Sequence, residues 1–428
     1  MVAVEAATFL ESALARPRPA DWPELRGRAE EALRGLALPT TAQEDWKYTD
    51  LAALRDRPFA MAAPVQADIA PSILPEARGS RLVFVNGHYA PHASSVSSLP
   101  PGVRLLNLAA ASEMARDLGA LAGPGATDAF GDLNLARFTD GALLVVPRGI
   151  RVEAPVHVLF INAQEGPEAT CALPRLLVAL DRGASATLVE EHQGAGTYLS
   201  AAVTEVLLRE DARLAHDRVQ RESPEAFHFS HLAARLERGA SYACRTVTLG
   251  GRLSRSTPRI VLAAEGAELS LDGLALVGDA QLADTHSFID HTVPHCTSRQ
   301  VHKVIADGRS RAVFNGRIFV RRDAQATDAQ QQCRGLLLSG TARIDAKPQL
   351  EIFADDVKCA HGAAIGQLDP EELFYLQSRG LGPELARNVL TYAFAADVLA
   401  GIPVPSLRRQ LRQTVLARTR QAGDLEAL

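Results

Sequence analysis

Two polar clusters hold the side chains best suited to metal or proton chemistry. The first is His286, Asp290, His291, His295, Cys296 and His302. Imidazole and thiolate are good ligands for iron, zinc or copper. Alternate residues of a strand face opposite sides, however, and this spacing closes no compact site. Exposed or hydrogen-bonded histidines are the plainer reading, with a metal role as the alternative. The second cluster is Asp355-Asp356-Val357-Lys358-Cys359-Ala360-His361-Gly362. If 357–361 is extended, Val357, Cys359 and His361 share one face. Cys359 and His361 are too few to close a metal site, so other ligands would have to come from a partner chain. The alternative is a buried structural cysteine beside a surface histidine.

Signatures of an autonomous enzyme are missing. There is no GxxxxGK[ST] phosphate loop, no GxGxxG after a strand pattern, no HExxH and no GxSxG. A net charge of −5 and 5% aromatic residues argue against nucleic acid as a main partner. Five scattered cysteines without a CxxC point away from a disulfide framework and toward a reducing compartment. Glu5 and Glu11 interrupt the apolar core that a signal peptide needs, and no apolar run is long enough to span a membrane. A cytoplasmic chain with no membrane partner is expected.

The elements that must position these clusters fall into three stretches of the 428 residues. Residues 1–80 read as an N-terminal helical region and linker. Ala3 to Ala15 and Asp21 to Leu36 have helical spacing, with Asp21 as the candidate N-cap of the second. Glu44-Asp-Trp-Lys-Tyr-Thr-Asp-Leu51 reads as a packing anchor, and 58–80 as a linker rich in Pro and Ala. Residues 81–366 are strand-rich. Gly183-Ala, Asp211-Ala, Gly239-Ala and Gly266-Ala open similar alternating runs and begin 28, 28 and 27 residues apart. A fixed period with strands in each repeat predicts a β-solenoid, with a β-sandwich as runner-up. Asp307-Gly308 and Gly340-Thr341 look like looser continuations. Both solenoid ends should be covered by helices or a partner, because unpaired strand edges invite association.

Residues 367–428 read as a C-terminal helical region. Asp369-Pro370 opens the first helix, with Leu373, Phe374 and Leu376 on its apolar side and Gly380 ending it. Gly382-Pro383 opens the second, with a stripe of Leu385, Val389, Leu390, Ala393, Phe394 and Val398. The third carries Leu407, Leu411 and Val415 on one stripe, and Arg408, Arg409, Arg412, Arg418 and Arg420 elsewhere. Three short helices make a small core, so a partner surface is expected here.

The run from Asp355 to Gly366, followed by Glu372-Leu-Phe-Tyr-Leu-Gln-Ser-Arg-Gly-Leu381 and Ala386-Arg387, resembles the C-terminal signature of the SufB/SufD family of iron–sulfur cluster assembly. Lys358-Cys-Ala-His-Gly362 places it nearer the SufD branch, because SufB-type chains carry Glu-His-Glu there. The motif at 44–51, Val313-Phe-Asn-Gly-Arg-Ile318, Ala324-Gln-Ala-Thr-Asp-Ala-Gln330 and Pro348-Gln-Leu-Glu-Ile352 resemble the rest of the family pattern. The resemblance implies a right-handed parallel β-helix flanked by helical regions, and a scaffold rather than an enzyme. It implies pairing with SufB through the β-helix cores, and with the SufC ATPase through the C-terminal helices. Phe374, Tyr375, Leu376 and Arg379 are the contact candidates on those helices, because large apolar and arginine side chains are the usual interface anchors. It also implies a transient iron–sulfur cluster at the SufB interface, with no permanently bound cofactor. His361 would be a cluster ligand or proton-transfer group there, with Cys359 as a secondary candidate. A homodimer in isolation is a further expectation. Two other readings compete: a secreted-type solenoid enzyme acting on polysaccharide, and a purely structural homo-oligomer.

Overall fold

The computed structural model describes residues 9–418 apart from Gly35, Asp56 and Glu165. The stretch before Phe9, and Arg420, lie outside the described residues. The chain is mainly β, a solenoid of about seven turns with helices toward both ends. Each coil gives one strand to each of two sheets. Ser185–Ala195, Arg213–Arg221, Ser241–Thr248, Glu268–Val277, Thr297–Ala306, Thr327–Leu337 and Val357–Gly366 run side by side in the first. Arg175–Leu180, Tyr198–Leu208, Phe227–Leu236, Leu253–Leu262, Leu282–His291, Arg311–Val320 and Arg343–Ile352 form the second. Pairing between coils is parallel throughout.

The repeat arises at one corner. Gly183, Asp211, Gly239 and Gly266 have φ of 65°, 57°, 64° and 73°. A left-handed residue reverses the chain there, which glycine and aspartate tolerate best. Gly183, Asp211 and Gly239 each donate their N–H to the carbonyl just before the same corner of the next coil, at Glu210, Arg238 and Glu265. Ala184, Ala212, Ala240 and Ala267 follow, all fully buried. A small inward residue lets the coils stack without being forced apart. The column continues at His295-Cys296 and Ala326-Thr327, where φ is 58° and 54°. Asp307-Gly308 and Gly340-Thr341 belong instead to the opposite corner, next to Asp279. Both corners need the same residue types, so composition alone does not separate them.

The helices are α1 (Phe9–Leu14), α2 (Pro23–Leu33), α3 (Ala52–Arg55), α4 (Ala129–Arg137), α5 (Pro370–Ser378), α6 (Pro383–Ala400) and α7 (Pro405–Arg418). Asp21 does not cap α2. Trp22 takes that place with φ 50°, Pro23 opens the helix, and the Asp21 carbonyl accepts from Arg26 Nε at 2.7 Å. The motif at 44–51 is the anchor expected of it, and it grips several coils of the second sheet. The Trp46 ring lies under the Arg255 guanidinium at 3.8 Å and beside Phe130 and Phe229. Thr49 Oγ1 donates to Asp284 at 2.5 Å, Arg311 sits over Tyr48, and Lys347 pairs with Glu44 at 2.6 Å.

Residues 58–80 are more than a linker. Ala60–Met61 pairs with Thr170–Cys171, Leu74 and Ala77 are buried beside the C-terminal helices, and Glu76 accepts from Ser406. The C-terminal helices also pack differently from the sequence reading. α6 buries Ala386, Asn388, Thr391, Ala395, Val398 and Leu399, while Ala393 is exposed. Its small residues let it lie close against the flat outer face of the first sheet. There α6 and α7 cover Val189, Val219, Val247, Leu274 and Ile305, with Leu407, Leu411 and Val415 buried as expected. Lys303 Nζ ties α6 down by donating to Phe394 O and Asp397 at 2.8 and 2.7 Å.

That packing decides which end of the solenoid is covered. At the N-terminal end, short antiparallel strands Arg104–Asn107 and His88–Tyr89 finish the two sheets. At the C-terminal end the helices turn back along the flank. The strands Arg343–Ile352 and Val357–Gly366 therefore end their sheets with no strand on their outer side among the described residues.

Candidate functional site at the open end of the solenoid

Paired residues on neighbouring parallel strands point to the same side. Leu188, His216, Cys244, Leu271, Gln300, Gln331 and His361 are register neighbours from coil to coil. All but the last are buried. Gln300 Nε2 donates across the interior to Ser287 Oγ of the other sheet at 2.9 Å, so this column faces the lumen. His361 thus projects over the mouth of the solenoid interior, and is exposed because no coil follows among the described residues. Neither of its ring nitrogens has a hydrogen bond among the described residues. Cys359 lies in register with buried Ala329 and packs, half-buried with Leu350 and Val357, against the end of the core. Val357, Cys359 and His361 do share one face. Burial pushes the Cys359 thiol above its ordinary range, with the Asp328 charge adding to the effect. A shallow groove of about 290 Å³ runs along this mouth, lined by Gln331, Cys333, His361 and Ala363 among others.

The surroundings are unusually apolar for a free surface. Ile352, Phe353, Ile365, Phe374 and Tyr375 are exposed, five of the eight large apolar side chains so placed among the described residues. The first three belong to the two bare edges or their connection. The other two lie on α5, which has no buried residue. Asp369 caps α5, accepting from Glu371 N at 2.8 Å, and Gly380 ends it with φ 94°. Leu376 is half-buried, and Arg379 is exposed over the Tyr375 ring at 5.2 Å.

The histidine cluster at 286–302 is not brought together. His286 faces outward to Asp284 (3.0 Å), and Asp290 holds Arg321 (2.7 Å). His291 is in the lumen on Ser298 Oγ (2.9 Å), His295 is an exposed corner residue, and Cys296 is buried beneath it. His302 is in the lumen, stacked on Phe314 with centroids 4.9 Å apart. No group of three or more His, Cys, Asp and Glu side chains among the described residues is arranged to hold a metal ion. Burial pushes His291 and His302 down to about 4. Both stay neutral in the folded chain, whereas the unfolded chain takes up protons near pH 6.5. The stability this represents is present above that pH and is lost as pH falls from about 6.5 to about 4, by about 3 kcal/mol per histidine. Urea midpoints at pH 7 and 4.5 should show a steep loss for the wild type and a shallower one for His302→Gln. Equal slopes would contradict this.

A second polar cluster, not picked out from the sequence, fills the lumen further down. Glu190 is fully buried and accepts from His192 Nε2 (2.9 Å), Thr204 Oγ1 (3.0 Å), and Arg218 Nε and Nη2 (3.2 and 3.3 Å). His216 Nε2 is 3.1 Å from the same carboxylate, off the line of a hydrogen bond, and its Nδ1 meets Tyr242 Oη at 2.9 Å. Desolvation alone would raise Glu190. Arg218, His192 and His216 outweigh it and hold the carboxyl well below the ordinary range. A signal for this cluster was present. Glu190 and Arg218 are 28 residues apart, the spacing of the repeat, and so are direct register partners.

Comparison with known proteins gives a consistent picture. Residues 160–394 match the family model "SUF system FeS cluster assembly, SufBD core domain", and residues 13–158 match "SufBD protein N-terminal region". A SufBD family iron–sulfur cluster assembly protein of Synechocystis is 38% identical over 92% of this chain and 90% of its own length. The iron–sulfur cluster assembly protein SufD of Escherichia coli is 33% identical over 93% of this chain and 92% of its own. The chloroplastic protein ABCI7 of Arabidopsis thaliana is 30% identical over 96% and 90%. No helix among the described residues is long and apolar enough to cross a membrane.

Proposed function

The chain belongs to the SufBD family of SUF iron–sulfur cluster assembly proteins, and on that premise we propose that it is a SufD-type scaffold subunit of a cytoplasmic assembly complex. Its partners are SufB at the open end of the solenoid and the SufC ATPase at α5. The observation that carries this reading is the pair of bare parallel edges, rimmed by Ile352, Phe353 and Ile365 and topped by His361. A second solenoid ending the same way would continue both sheets and satisfy the free backbone groups. The new interface would then cover the lumen mouth, with His361 at its centre and Cys359 beside it. The nascent cluster is cargo there. His361 supplies one ligand or a proton-transfer group, and SufB completes the set. A cluster held by few ligands is readily passed on, which suits a scaffold. Co-purification of this chain with SufB and SufC tests the reading, and failure to form the complex would overturn it. In the absence of SufB the same edges serve a second copy of this chain.

The solenoid flank alters how the ATPase contact is tested. Removing residues 369–428 would strip α6 and α7 from buried Val219, Val247 and Leu274, so the solenoid would not survive the deletion unharmed. Point changes on α5 avoid that problem. Phe374→Ala and Tyr375→Ala remove exposed side chains and should leave thermal stability unchanged. Each should weaken SufC binding about 30-fold, the loss typical of aromatic anchors at about 2 kcal/mol. Titration calorimetry with unchanged affinity for both variants would place the SufC contact elsewhere.

A further inference from the structure

Beneath His361, one buried polar group is left unanswered. Gln331 is fully buried and is the direct register partner of His361 on the preceding coil. Its Nε2 donates to Gln300 Oε1 at 2.8 Å, and Gln300 in turn is bonded to Ser287 Oγ of the opposite sheet. This Ser287–Gln300–Gln331 ladder fixes the amide. With Nε2 committed to the coil below, Oε1 takes no part in the ladder. Gln331 Oε1 is buried and has no hydrogen-bond partner among the described residues. A buried acceptor left unpaired costs about 1–3 kcal/mol, so such a group in a folded chain calls for an explanation. The fold also makes room for this glutamine. A Cβ on Gly316 would come within 2.5 Å of Gln331 Nε2, so the glycine of Asn315-Gly-Arg317 is what lets the amide lie across the lumen.

We propose that Gln331 is a positioning residue for His361: its Oε1 accepts the N–H of the imidazole, fixes one tautomer, and leaves the other ring nitrogen unprotonated and facing out of the solenoid mouth. The inference rests on the assembly reading only for its consequence. A neutral imidazole keeps one donor and one acceptor nitrogen, and the hydrogen bond made by the first decides which is free to bind metal or take a proton. The proposal requires the His361 side chain to turn onto the amide of its register partner, one strand spacing of about 4.8 Å away. The ladder therefore gives an otherwise unrestrained surface histidine a defined direction before any partner arrives.

The experiment is nitrogen-15 NMR of the full chain labelled at histidine, above the histidine titration range, with His361→Ala used to assign the signals. The wild type should show His361 as essentially one tautomer. Gln331→Met keeps the volume, leaves Gln300 bonded to Ser287, and should return His361 to the mixture of a free imidazole. Gln331→Glu restores an acceptor and should restore the single tautomer. A wild-type His361 that is already a free-imidazole mixture, or that Gln331→Met leaves unchanged, overturns the proposal. Bound iron and sulfide in the reconstituted complex are read separately. Gln331→Met should lower them several-fold, with no further loss when combined with His361→Ala. A tautomer that responds to Gln331 while cluster content ignores both residues would support the positioning role and overturn the assembly role of His361.

Discussion

His361→Ala should strip most of the iron and sulfide from the reconstituted complex while the chain stays folded and bound to its partners. The side chain is exposed and makes no hydrogen bond among the described residues, so its removal should change stability by no more than about 0.5 kcal/mol. Its strand is held by the backbone ladder to Thr327–Leu337 and by Val357 and Cys359 packed on the core, none of which the substitution touches. Among the described residues, no group of three or more His, Cys, Asp and Glu side chains is arranged to hold a metal and take over from His361. Cys359→Ser should cost less, because that thiol is half-buried and its reactive thiolate form is disfavoured. The measurement is iron and acid-labile sulfide per complex. Wild-type content in the His361→Ala complex would show that the histidine is dispensable.

The largest expected loss of stability comes from Glu190→Ala. Removing the carboxylate leaves Arg218 buried without its counter-charge, and leaves His192 and Thr204 without their acceptor. Breaking one side of a buried ion pair typically costs about 3–5 kcal/mol. The double variant Glu190→Leu with Arg218→Met should recover much of this loss, because it removes both charges and fills the same space with apolar atoms. Acid should act in the same direction as the single variant. The folded-state carboxyl lies well below the ordinary range, so its contribution is full above about pH 4.3 and is lost as pH falls through its lowered value. Urea denaturation at neutral pH checks the magnitude. A single variant within about 1 kcal/mol of the wild type would show that Arg218 finds another partner or water.

The coil is legible from residue types alone. The turn requirement repeats every 28 residues or so, and a left-handed corner followed by a small buried residue is local chemistry that residue types express directly. Asp369-Pro370 and Gly380 marked α5 for the same reason, since caps are read within a few residues. The shared face of Val357, Cys359 and His361 followed from strand alternation alone. Tertiary structure decided everything that depends on which coil lies beside which. Corner residues look alike in sequence: the plainer reading of His295 as an exposed histidine holds, but only the stacked coils show it to be the fifth corner of the Gly183 column. Asp307 was assigned to that column when it turns the other corner. Glu190 and Arg218 are each unremarkable on their own strand, and become an ion pair only when the coils stack. The covering of the ends was likewise out of reach. α6 could have lain over the mouth of the solenoid or along its flank, and either would bury an apolar stripe. Its small residues fit the flat face beside Val219 and Leu274, and that choice leaves His361 and both strand edges open to a partner.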